Sequence, residues 1–188
     1  MSGTKRDAIV AAAADLFRSE GVHAASMAKI REASGASAGS IYHHFDSKDD
    51  IVIAVAQQAV VEPLRGLIEQ NAGAVLSPGE IFRLVVQTVA AGDLQPALIV
   101  QLWAASSADE ELRALVRGQV VGLQHSLFAL VARWLEAEGL DVSRAGTVAR
   151  LTVGQAMGLL TQRSLDPGFD HDVYVTEAAL LLDGLARS

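Results

Sequence analysis

Almost every apolar run in this 188-residue chain begins behind a residue able to cap a helix, and its apolar positions recur every three or four residues. Ser26, Ser37 and the box Ser47-Lys48-Asp49-Asp50 stand before such runs. Ser77-Pro78-Gly79-Glu80 joins a cap, a proline at the first helical position and an acid in the first turn. Alternating β-branched runs bounded by turn residues are missing, so no sheet is expected. The chain reads as all-α, with about nine helices, three short ones followed by six longer ones.

Ile9, Ala13, Leu16 and Phe17 predict a first helix over about 5–20, stopped at Gly21. Met27, Ile30 and Ala33 are the expected inward face of the second. Ser37 opens a third through about Phe45, after a three-residue break at Gly35-Ala36-Ser37. The fourth runs over about 48–70, with Pro63 expected to kink it. Further helices are predicted over about 78–92, 95–106, from Ser107 to about 138, 143–164 and 171–187, with breaks near Gly92-Asp93, at Gly139 and at Asp166-Pro167-Gly168.

Composition narrows the setting. There is no Cys, which excludes disulfides and thiolate metal sites and suits a reducing compartment. No uninterrupted apolar run reaches the roughly 18 residues of a membrane span. The N-terminal stretch carries Asp7 and Asp15 without a cleavage-site pattern, so no signal peptide is expected. These features predict a cytoplasmic protein without a membrane partner. The net charge of −7 argues at first against nucleic acid. Its distribution points the other way: residues 1–48 hold six basic against five acidic residues, the remainder nine arginines against seventeen acids. All three lysines and three of the five histidines lie in the first 48 residues. Such asymmetry suits a small head facing a polyanion and an acidic body that does not.

Residues 35–45, GASAGSIYHHF, admit two chemistries. Gly35-Ala36-Ser37-Ala38-Gly39 fits the G-x-S-x-G elbow of serine hydrolases, but that elbow needs a strand before the serine. The preceding SMAKIREAS is helical in pattern, so the elbow fails. A helix-turn-helix needs two short helices, a brief Gly-containing turn and small residues at the crossing. Ala33, Gly35, Ala36 and Ala38 supply the small volumes, and Ile30, Ile41 and Phe45 supply anchors against Leu16 and Phe17. Ser37, Gly39, Ser40, Tyr42 and His43 are then left on the outer face. With Ala38 they form the groove-facing set, in which Ser37, Ala38, Gly39, Ser40 and His43 are candidates for base readout.

The segment AADLFRSEGVHAASMAKIREASGASAGSIYHHFDSKDDI resembles the DNA-binding domain of the tetracycline-repressor (TetR) family of bacterial regulators. Leu16-Phe17, Gly21, Ser26, Ile30, Gly35, Ser37, Gly39, Ile41-Tyr42, His44-Phe45 and Ser47-Lys48 carry the resemblance, over about residues 5–52. Arg31, Ser34 and Ala36 depart from the family pattern, and Arg31 brings an extra cation. The resemblance implies that Tyr42, His44 and Lys48 contact phosphates, with Ser26 doing the same from a helix start. Lys5 and Arg6 are the candidates for a basic arm. It further implies a helix-turn-helix DNA-binding domain at 1–47 and a helical effector-binding and dimerisation domain at 48–188.

In that family the last two long helices dimerise and the middle ones hold an effector. Ala178-Ala179-Leu180-Leu181-Leu182 is apolar all round, more than one core-facing stripe needs, and Gly154 and Gly158 leave a flat strip. Gly154, Gly158, Ala178, Leu181 and Leu182 are therefore expected at a homodimer interface. Phe82, Gln101, Trp103, Gln124, His125, Phe128 and Met157 are the candidate pocket lining, suited to a small hydrophobic effector. No cofactor is expected. No metal is either, because neighbours such as His43 and His44 point about 100° apart on a helix and chelate poorly together. No nucleophile or acid–base constellation can be placed. The expected partners are a palindromic double-stranded operator, an effector and a second copy of the chain. The alternative is an α-bundle small-molecule-binding protein or enzyme that does not touch DNA.

Overall fold

The computed structural model describes residues 4–91, 100, 101, 104, 110–166 and 168–188. Among them the secondary structure is helical throughout: α1 (Lys5–Glu20), α2 (Met27–Ser34), α3 (Ala38–His44), α4 (Lys48–Ala56), α5 (Glu62–Gln70), α6 (Pro78–Ala91), α7 (Glu110–Ala137), α8 (Ala145–Leu165) and α9 (His171–Arg187). One π turn, Gln57–Val61, joins α4 to α5, and a 3₁₀ turn, Val142–Arg144, precedes α8. The helix expected over 95–106, the Ser107 start, the Gly92-Asp93 break and Trp103 lie essentially outside the described residues.

The caps set the helix starts. The hydroxyls of Ser26, Ser37 and Ser47 accept from the backbone N–H groups of Lys29, Ser40 and Asp50. At Ser47 and Ser77 the box closes both ways, the Asp50 and Glu80 carboxylates accepting from the cap N–H at 2.9 and 2.7 Å. Thr4 and Asp7 form a further box, in which the Thr4 N–H and then its hydroxyl hold the Asp7 carboxyl below the usual carboxylate range.

Two groups of packed residues divide the chain. In the head, Phe17, Ile30, Ile41 and Phe45 are buried together with Ile51, Val52 and Val55 of α4, so packing runs across the 47/48 junction. Ala33, expected inward, is exposed. Ile30, fully buried, and half-buried Met27 supply the inward face of α2. In the body, Leu127, Val131, Leu135 and Val148 form one cluster, and Phe82, Leu159, Ala179 and Leu182 another.

Pro63 does not break the rod that runs from Lys48 to Gln70. Proline offers no N–H and crowds the carbonyl four residues back. The ladder widens just before it, the Glu62 N–H donating to the Gln57 carbonyl five residues earlier. By length and composition this rod would suffice to cross a membrane, contrary to the expectation from uninterrupted apolar runs. Gln57, Gln58, Glu62 and Arg65 interrupt it, and Ile51, Val52, Ala54 and Val55 are buried in the head.

α9 packs on α6 and α8. At its closest approach the Gly79 N–H donates to the Asp183 carboxylate at 2.8 Å. A Cβ on Gly79 would sit 2.6 Å from the Ala179 carbonyl oxygen, so backbone meets backbone there. Gly79→Ala should destabilise the fold by about 1–3 kcal/mol through this overlap. Urea unfolding checks it, and an unchanged midpoint would show that the two helices separate freely.

Candidate nucleic-acid interface and ligand cavity

α3 is about 10 Å long at 1.5 Å per residue. Ile41 and Phe45, one turn apart, are buried against Phe17 and Ile30, and that fixes which side faces out. Tyr42 is 58% exposed. Ser37, Ala38, Gly39 and His43 are exposed, while Ser40 and His44 are half-buried. A Cβ placed on Gly39 meets nothing within 4 Å, so the backbone here is open to close approach.

The turn that presents α3 is three residues long. Gly35 adopts φ 64°, a left-handed conformation that favours glycine, and its N–H donates to the Glu32 carbonyl. The Ala36 N–H donates to the Ser34 hydroxyl at 3.4 Å, which gives this departure from the family pattern a local role. The far end of α3 carries a chain of edge-on ring contacts. The Arg6 guanidinium lies 5.2 Å over the Phe45 ring, Phe45 meets His44 edge-on at 6.4 Å, and His44 meets His43 at 5.0 Å. Arg6 is therefore part of the head and not of a loose arm.

Two of the three lysines hold the head together. The Lys48 ammonium donates to the carbonyls of Val22 (3.2 Å) and Ala25 (3.4 Å), tying the start of α4 to the α1–α2 connection. Lys29 pairs with Glu20 and donates to the Ala24 carbonyl. Arg31 is exposed beside the turn, and Ser26 is exposed at the start of α2.

The body contains an apolar cavity of about 150 Å³, open on one side, between α5, α6, α7 and α8. Val60, Leu64, Val85, Leu127, Val153 and Met157 are among its walls, and Asn71 and Gln124 are its polar lining residues. Gln124 and Met157, two of the candidates from the sequence, are among its lining residues. Phe82 is not: it is fully buried in the core with Leu159 and Leu182. Gln101 lies 3.9 Å from the Cβ position of Gly21 and does not line the cavity. His125 and Phe128 line a separate outer groove on the α7–α8 surface. Sequence reasoning missed the wall from the rod, although Val60, Leu64, Leu67, Ile68 and Asn71 keep helical spacing beyond what the head requires.

The expected dimer residues separate in the same way. Ala178 and Leu182 are buried within the chain's own core, and Gly158 makes room for its own Tyr174, whose hydroxyl lies 3.1 Å from the Cβ position. Leu181 is 60% exposed and Leu180 58%. Gly154 has no neighbour within 4 Å of its Cβ position, and Leu151 and Leu165 are exposed on the same helix. A helix apolar all round does not reveal which half its own chain covers.

The family described as "Bacterial regulatory proteins, tetR family" matches residues 9–55, the stretch that builds the head and its first core. The head is thus a tetR-type regulator domain. This regulator is 28% identical over 147 residues to the fatty acid metabolism regulator protein of Bacillus subtilis, covering 73% of each chain. Among solved structures it resembles the fatty acid degradation regulator FadR of Bacillus halodurans, with 25% identity, a TM-score of 0.77 and coverage of 98% and 97%. It shares its fold with Salmonella enterica GusR, at 24% identity, a TM-score of 0.78 and coverage of 98% and 96%. The chain is a transcriptional regulator and not an enzyme.

Lys48→Ala leaves the Val22 and Ala25 carbonyls without their cationic donor. It should lower stability by about 1–2 kcal/mol, in the range for hydrogen bonds to charged groups. Chemical denaturation reads this directly, and a variant as stable as the parent would show the clamp to be incidental.

Proposed function

We propose that the regulator is a cytoplasmic, ligand-responsive repressor that binds a palindromic operator as a homodimer and is released by a small hydrophobic effector. The observation that carries the reading is the orientation of α3. Ile41 and Phe45 face the core, and Tyr42 and His43 face solvent beside an unobstructed Gly39. A helix presented this way can set its end in a major groove.

Residues 1–47 form the DNA-binding domain, joined in its contacts by Lys48, and residues 48–188 supply the effector site and the dimer. Ser37, Ala38, Gly39, Ser40 and His43 face base edges, with His43 the main discriminator. Tyr42, His44, Ser26 and Lys48 position the head on phosphates. Lys48 has a third ammonium proton beyond its two carbonyl contacts, so it serves the fold and a phosphate together. The exposed stripe of Leu151, Gly154, Leu180 and Leu181 on α8 and α9 pairs with its copy across a two-fold as a four-helix interface. That symmetry spaces the two α3 helices about 34–36 Å apart, one turn of duplex.

The effector occupies the apolar cavity of the body. Two relatives are named for fatty acid metabolism, and a hydrocarbon chain is a guest that aliphatic walls accept. The rod Lys48–Gln70 contributes to both head and cavity, so an effector that prefers one rod position changes the spacing of the heads.

Three outcomes test this reading. His43→Ala should change base preference at one operator position, seen by selection from a randomised site; an unchanged profile removes it from readout. Lys48→Ala should weaken binding to all duplexes alike and lower the salt slope by about one phosphate contact per head. An unaltered slope leaves Lys48 with only its structural role. Leu181→Glu should convert the dimer to monomer by light scattering and abolish operator binding, whereas a persisting dimer places the interface elsewhere.

A further inference from the structure

Two concavities of opposite chemistry share one wall. Gln124, Leu127 and Val153 line both the inner cavity and the outer groove between α7 and α8, of about 420 Å³. The inner side offers no ionisable group, and its Asn71 amide already donates to the Leu67 carbonyl at 2.8 Å. An ionised group placed there would lose its hydration and meet only neutral amides, with no opposite charge to replace it. On the outer side stand Arg150, His125 and the exposed Phe128 ring, and that lining contains no carboxylate. None of the ion pairs among the described residues involves Arg150.

From this arrangement we propose that the effector is an anionic amphiphile occupying both spaces. Its apolar tail lies in the inner cavity, and its head, a carboxylate or a phosphate ester, is held in the outer groove by Arg150 with His125. The planar guanidinium suits both heads, since each presents two oxygens to its fork of donors. Gln124, at the shared wall, donates to the neck between tail and head. The proposal rests on the reading of the inner cavity as the effector site and adds the charge and direction of the ligand to it.

Calorimetric titration of the full chain with four ten-carbon probes below their micelle concentrations tests it: decanoate, decyl phosphate, decanol and decylammonium. Both anions should bind at least tenfold more tightly than decanol and decylammonium, and the tighter anion identifies the head. Arg150→Gln should erase the tenfold advantage over decanol, and Arg150→Lys should restore part of it. Arg150 is exposed, so these variants should unfold at the temperature of the parent. Equal binding of decanoate and decanol, or an advantage that survives Arg150→Gln, overturns the head assignment while leaving the cavity reading in place. The cavity itself is tested separately by Ala156→Leu, which narrows it without touching Arg150 and should weaken decanol and decanoate by the same factor. If no probe binds, or Ala156→Leu changes neither affinity, the effector cavity and the proposal built on it both fall.

Discussion

Everything in this regulator hangs on one rod that must satisfy two apolar environments at once. Between Lys48 and Gln70 the chain buries Ile51, Val52 and Val55 with Phe17 and Phe45, then turns Val60, Leu64 and Leu67 toward the cavity. A regular α-helix drifts only slowly around its axis, so the direction of its apolar stripe is fixed over a few turns. The π turn at Gln57–Val61 adds one residue to the ladder where the stripe passes from one environment to the other. Pro63 stands two residues beyond it, where a missing N–H is tolerated because the ladder has already been reset. Head and body therefore share a rigid element, and neither can reorient without shifting the other.

The head places its few cations by function and not by number. Lys48 and Lys29 bind carbonyls and a carboxylate within the chain, and Arg6 lies over Phe45. These contacts pull α1, α2 and α4 together around a helix only seven residues long. α3 has too few residues to be stable by itself. It exists because Ser37 caps it, Gly35 turns into it, and Ile41 and Phe45 anchor it. What α3 turns outward is a surface of hydroxyls and an imidazole, from Ser37, Tyr42 and His43.

What could be read from the sequence was what is decided locally. Caps at Ser26, Ser37, Ser47 and Ser77, the bounds of α1 and α9, and the orientation of α3 follow from residues within one or two turns. What could not be read is decided between distant segments. Gly79 looks like part of a helix start, yet its lack of a side chain answers to Ala179, one hundred residues on. Lys48 looks like a free cation, and its ammonium meets carbonyls more than twenty residues earlier. Phe82 and Leu182 have the composition of pocket and interface residues, but they pack on each other's cluster. Apolar side chains carry no label for which apolar surface they will meet.

That ambiguity has a physical consequence for the body. Its helices α6, α8 and α9 are joined in one cluster through Phe82, Leu159 and Leu182, with the Gly79–Asp183 contact fixing α6 against α9. The cavity lies on the other side of α6 and α8, against the rod. One wall is thus made of helices locked to the outward α8–α9 stripe, and the opposite wall of the helix that carries the head. A guest in that space touches both. Close-packed interiors transmit displacement where a loose one would absorb it, and the rod is the element that belongs at once to the core of the head and to the wall of the cavity.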